Sequence, residues 1–140
     1  PRPPFASLLP SEWAGPRFKY LKGALGLYNV YPFFPGDVFK SKEAVVGGGD
    51  AFRIFVFHYK SRDEAKRRFE EVQTAFAGSS SYPNVRRRAE GTLEAADRKG
   101  ASLRAEVFED CIALVLGNLP PPQAQDIIAQ LKKQRAAFIF

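Results

Sequence analysis

The stretch Ala51–Lys60 limits what this chain can fold into more than any other segment. It alternates with a period of two, and both phases are rich in apolar or aromatic residues. Phe52, Ile54, Val56 and His58 fall on one side, and Arg53, Phe55, Phe57 and Tyr59 on the other. A strand with one face in water keeps one phase polar, so a strand apolar in both phases belongs inside a sheet. The 13 phenylalanines and absence of methionine point the same way, to a core of stiff rings and branched aliphatics with well-defined shapes. At 140 residues the chain fits one domain with one continuous core.

Around that strand the local signals are orderly. Ser61-Arg62-Asp63-Glu64 has the form of a capping box, with Glu64 placed to reach back to the Ser61 amide. The helix it opens runs to about Ala77, with Ala65, Phe69, Val72 and Phe76 on its inner stripe, and Gly78–Ser81 closes it. Upstream, Val38–Val46 is a strand and Gly47-Gly48-Gly49-Asp50 a turn. Downstream, strands are predicted at Asn84–Glu90, Thr92–Asp97, Ala101–Phe108 and Cys111–Leu116, with turns at Gly91, Arg98-Lys99-Gly100 and Glu109-Asp110. A last helix starts between Asn118 and Pro122, with Ala124, Ile127, Ile128 and Leu131 facing inward. Near the other end, Phe18, Leu21, Leu25 and Tyr28 recur at helical spacing, which predicts a helix over Arg17–Tyr31. Residues 1–16 hold five prolines and read as an extended arm whose Trp13 anchors against the core, leaving 17–140 as the domain. The expected fold is α+β, an antiparallel sheet with helices packed on it in the order α-β-β-α-β-β-β-β-α. The later strands closed by a helix echo the earlier block, which leaves an internal repeat open.

The formal net charge of +6 is a mild excess, short of a nucleic-acid signature by itself. Cys111 is the only cysteine, so neither an internal disulfide nor a cysteine-based zinc site can form within the chain. It opens an apolar strand and reads as a packing residue. His58, the only histidine, sits inside an apolar strand with no sequence pattern of a triad and is read as structural; an enzyme would need it to converge with Glu106 or Asp110 in a pocket. The Gly47–Asp50 run leads into a strand and lacks a Gly-Lys-Ser/Thr ending, so it is no phosphate loop. No segment calls for a metal or cofactor, and none reaches the roughly 18 apolar residues that span a bilayer.

Two groups remain as candidate binding residues. Tyr28, Tyr31, Phe33 and Phe34, at the end of the first predicted helix and in the Pro-Phe-Phe-Pro loop after it, could line an apolar groove for a ligand or peptide. Arg86, Arg87 and Arg88 are the best candidates for an anionic partner, with Arg86 and Arg88 sharing one strand face opposite Arg87. Lys66, Arg67 and Arg68 fan out among glutamates, as a solvated helix face does.

The run Tyr20–Phe33 resembles a signature of an uncharacterised family of exported bacterial proteins: a tyrosine, two variable positions, Gly-Ala, two more, Leu-Tyr, then spaced Tyr and Phe. Tyr20, Gly23, Ala24, Leu27, Tyr28, Tyr31 and Phe33 match it, whereas Lys22 and Gly26 stand where the family tends to have Asn and Glu. Arg53–Tyr59 running into Ser61–Ala65 also resembles the family's strand-to-helix step. The resemblance implies export rather than an activity. A chain opening at Pro1 with no methionine fits removal of a signal peptide, and equally a boundary chosen for expression. The expectation is a non-enzymatic exported, periplasmic domain binding a small ligand, peptide or envelope protein. The alternatives are a nucleic-acid-associated module using Arg86–Arg88 and an enzyme built around His58.

Overall fold

The computed structural model describes residues 5, 8–10, 12–13, 15, 18–22 and 39–137. In chain order these form β1 (Lys19–Lys22), β2 (Glu43–Gly48), β3 (Phe52–His58), α1 (Arg62–Ala77), β4 (Asn84–Ala89), β5 (Thr92–Ala96), β6 (Ser102–Phe108), β7 (Cys111–Gly117) and α2 (Pro121–Ala137). The strands make one antiparallel sheet in the order β1-β2-β3-β7-β6-β5-β4. The protein is α+β, as expected.

The two-sided apolar pattern of β3 is satisfied by cover on both faces. Phe55 and Phe57 point to a core shared with Ala65, Phe69, Val72 and Phe76 of α1. Ile54 and Val56 point to a second core, built from Ile127, Ile128 and Leu131 of α2 together with Phe5, Leu8 and Leu9. Full burial of each such side chain is worth about 1.5–3 kcal/mol. The rings pack in specific geometries: Phe39 stacks on Phe57 at 4.1 Å and 12°, and Phe76 meets Tyr82 edge-on at 4.8 Å and 82°.

The helix α1 starts where its capping residues place it. The Ser61 hydroxyl accepts the Glu64 N–H at 3.1 Å. The Glu64 carboxylate, however, takes the amide of Lys60 at 3.1 Å, one residue earlier than a standard capping box predicts. The downstream turns fall in place. Gly91 lies at φ 78°, where a side chain would be strained, and a Cβ there would come within 3.2 Å of Val107. The Asp97 side chain accepts the amides of Lys99 and Ala101, both at 2.9 Å, pinning the β5–β6 turn.

Three expectations are corrected. The segment expected to open a helix at Arg17 instead contains β1, with Lys19 to Lys22 paired to Val46 to Glu43 of β2. Phe18 and Tyr20 pack toward the second core and Leu21 toward the first, a period of two that the helical spacing conceals. The open edge of β2 decides the matter, because pairing satisfies backbone groups that a helix would leave exposed there. Residues 23–31, the remainder of that predicted helix, lie outside the described residues. Gly47 and Gly48 belong to β2 rather than to a turn, and β2 begins at Glu43, not Val38. A Cβ on Gly47 would sit 2.2 Å from the Trp13 carbonyl oxygen, and the Gly48 N–H donates to that same oxygen at 2.8 Å. Trp13 thus meets the sheet through its backbone and also packs against the second core, as expected. The two blocks also differ in content, three strands before α1 and four before α2, so the repeat does not hold element for element. No helix among the described residues is long and apolar enough to cross a membrane.

Candidate functional site

Both regions that bear chemistry lie on the α2 side of the sheet, at opposite ends of its width. The first begins with register. Glu43 stands opposite His58, and His58 opposite Cys111, so β2, β3 and β7 place three reactive side chains in one row. The His58 Nδ1 lies 2.6 Å from Glu43 Oε2, and its Nε2 3.0 Å from Asp110 Oδ2 in the β6–β7 turn. The Tyr20 hydroxyl of β1 donates to Glu43 Oε1 at 2.6 Å. From α2, Arg135 closes the far end by donating Nε to Asp110 Oδ1 at 2.9 Å and a terminal nitrogen to Oδ2 at 3.1 Å. Phe5 stacks on the imidazole at 4.9 Å.

The centre of this chain of groups is closed from water, with His58 6% exposed and Glu43 8%, while Tyr20, Asp110 and Arg135 are partly buried. Burial, reinforced by the adjacent Glu43 carboxylate, pushes the Tyr20 phenol up to about 12. Burial also pushes Asp110 upward, but the Arg135 guanidinium and the His58 ring outweigh it and hold the carboxyl down to about 2. The Cys111 thiol is raised by burial first and by Asp110 beside it, so its proton stays on sulfur. Tyr20, Asp110 and Cys111 are thus each held in one protonation state by their surroundings. An imidazole with a carboxylate at each ring nitrogen, shut inside the sheet, is poorly disposed to take a proton from a substrate.

In sequence, His58 stands apart from any carboxylate pattern. The structure corrects this: two carboxylates, a tyrosine and the thiol converge around it. Of the two acids considered as its partners, Asp110 is one, whereas Glu106 instead binds Arg104 at 2.9 Å and Lys132 at 2.5 Å. The missed partner is Glu43. A lone carboxylate opening the apolar run Ala44-Val45-Val46 was the available signal, since a buried charge in such a strand needs an opposite number. Among the described residues no group of three or more His, Cys, Asp or Glu could hold a metal ion.

The second region is a cavity of about 340 Å³ at the β4 edge. Asn84, Arg86 and Arg88 of β4, Glu94 of β5 and Arg104 of β6 line it, with Pro121 and Ala124 of α2 as its apolar wall. Arg86, Glu94 and Arg104 stand in one cross-strand row. Glu94 pairs with Arg88 through one oxygen and with Arg104 through the other, the latter at 2.8 Å. Arg86, its direct cross-strand neighbour, has no ion pair among the described residues. Because α2 opens with two prolines, and the Gln123 and Ala124 amides turn back to the Pro120 carbonyl, the helix start presents few free donors. The guanidinium groups therefore dominate what the cavity offers a ligand.

Arg87 points to the other side of the sheet, 3.8 Å from Glu70 of α1. On α1 itself, Arg67 faces Glu64 at 3.9 Å and Arg68 faces Glu71 at 2.9 Å. The arginine triplet is thus divided between two faces, and Arg67 and Arg68 are countered on the helix itself. Tyr28, Tyr31, Phe33 and Phe34 lie outside the described residues. No family model and no curated protein matches the chain.

Proposed function

We propose that this chain is a non-enzymatic binding domain that holds a small anionic ligand in the groove bounded by β4–β6 and the start of α2. One observation carries the reading. Three arginines share a cavity of ligand size with a single glutamate, while His58, Glu43 and Cys111 are closed inside the sheet. Planar guanidinium groups match carboxylate and phosphate oxygens, and the Pro121–Ala124 wall excludes water on one side. A location outside the cytoplasm is proposed on the resemblance of Tyr20–Phe33 to exported bacterial proteins.

Isothermal titration calorimetry with small carboxylates and inorganic phosphate, on the chain and on its Arg88→Ala variant, tests the reading. Saturable binding that the variant loses supports it. Absence of heat with every anion removes it. Oligonucleotide binding that weakens steeply with salt would favour the nucleic-acid alternative instead.

A further inference from the structure

The groove's charge arrangement narrows the ligand further, on the premise that the groove is the binding site. Its lining holds Arg86, Arg88 and Arg104 against Glu94 alone. Nearby, Glu106 is spent on Arg104 and Lys132, and it does not line the cavity. Two positive charges are therefore left over, and they are not in the same place. One is Arg86, whose cross-strand neighbour Glu94 is committed elsewhere. The other is spread over Arg88, Arg104 and Lys132, three cations that share the carboxylates of Glu94 and Glu106.

The positions differ in rigidity as well. Arg104 is held by two carboxylates with its side chain 13% exposed, so it forms a fixed floor. Arg88 is 53% exposed at the rim, and Arg86 is exposed on the same edge strand. The β4–β5 ladder shifts register between Arg87 and Ala89, and Arg88 lines the same cavity as Arg86. Between the two positive positions and the helix, the lining contributed by Ala96, Pro121 and Ala124 is apolar.

We infer that the groove takes a small dicarboxylate: one carboxylate on the Arg86 fork, the other completing the Arg88–Arg104 pair, and a short aliphatic linker against Ala96 and Pro121. A single-point dianion such as phosphate satisfies only one of these positions. A monocarboxylate leaves the other position uncompensated.

The test is calorimetry at fixed ionic strength with propionate, succinate, glutarate and inorganic phosphate, on the chain and on Arg86→Ala. The expected result is that succinate or glutarate binds about tenfold more tightly than propionate and phosphate. Arg86→Ala, on an exposed edge and expected to melt like the parent, should abolish that advantage. Equal affinities for mono- and dicarboxylates overturn the inference while leaving the anion-binding reading standing. So does phosphate binding as tightly as the dicarboxylates, or an advantage that survives Arg86→Ala. If none of the four anions binds, both readings fall together.

Discussion

The two polar regions on the α2 side of the sheet use the same residue types to opposite ends. Around His58, the Glu43 and Asp110 carboxylates are matched partner for partner, with Tyr20 and Arg135 completing the chain. At the β4 edge, three arginines crowd one glutamate, and Arg86 has no ion pair among the described residues. Cover explains the difference. The region around His58 lies beneath α2 and Phe5, where an unmatched charge would cost several kcal/mol. The β4 edge projects beyond α2, which meets β6 and β7, and water stabilises whatever charge is left unpaired there. Pairing that is complete and buried holds a fold together, whereas pairing that is incomplete and open leaves capacity for a ligand.

The sharpest break of this comparison is Glu43→Ala. It leaves the His58 ring and Tyr20 hydroxyl facing a buried void, and should lower the unfolding free energy in urea by about 3–5 kcal/mol. A loss below about 1 kcal/mol would mean that the row around His58 is no more structural than a surface pair.

The acid limb comes next. The Asp110 carboxyl is held down to about 2 in the fold, against an ordinary value of 3.8. Its contribution is therefore present above 3.8 and is lost as pH falls from there toward 2. Asp110→Asn should be less stable at neutral pH and should show a shallower decline over that window when thermal midpoints are compared. Parallel curves would indicate that Asp110 is not held by Arg135 and His58 in the fold.

At the alkaline limb the sign reverses. The Tyr20 phenol titrates at about 12 in the fold and at 10 when unfolded, so its stabilisation is intact below 10 and drains away between 10 and 12. Tyr20→Phe should remove that slope and cost about 1–2 kcal/mol at neutral pH, the worth of one hydrogen bond to a carboxylate. Tyrosinate absorbance followed against pH checks it, since one late-titrating tyrosine should vanish in the variant.

The smallest stability effect is expected at the other end of the sheet. Glu94→Gln should change stability by no more than about 1 kcal/mol, because its arginines are partly in water. Yet it removes the one carboxylate competing for the groove, so anion affinity should rise. A large stability loss without a gain in anion affinity would make the groove's ion pairs structural too and erase the contrast.

Much of the scaffold is legible in the chain, and the reasons are local. Ser61 caps α1, Gly91 and the Asp97 turn set the later hairpins, and Ala124, Ile127, Ile128 and Leu131 form the buried stripe of α2. The segment around Tyr20 misleads because Phe18, Leu21 and Leu25 satisfy a helical period, while the edge it pairs with lies more than twenty residues away. Alternation alone sets Arg86 opposite Arg87, as the structure has them; Arg88 lines the Arg86 cavity across a register shift that alternation does not reveal. The commitment of Glu94 to Arg88 and Arg104 is not legible, because it depends on where β5 and β6 sit beside β4.

By itself the sequence determined the features set by a residue and its near neighbours: the two-faced β3, the capped α1, the turns, and a core of rings and branched aliphatics. Tertiary structure alone decided which side chains from distant strands share a row. It brought Glu43 to His58 and, among the described residues, left Arg86 without a carboxylate. The physical reason is that hydrogen bonds and ion pairs act over a few ångströms, and residues far apart in the chain come within that reach only once the sheet's register is set.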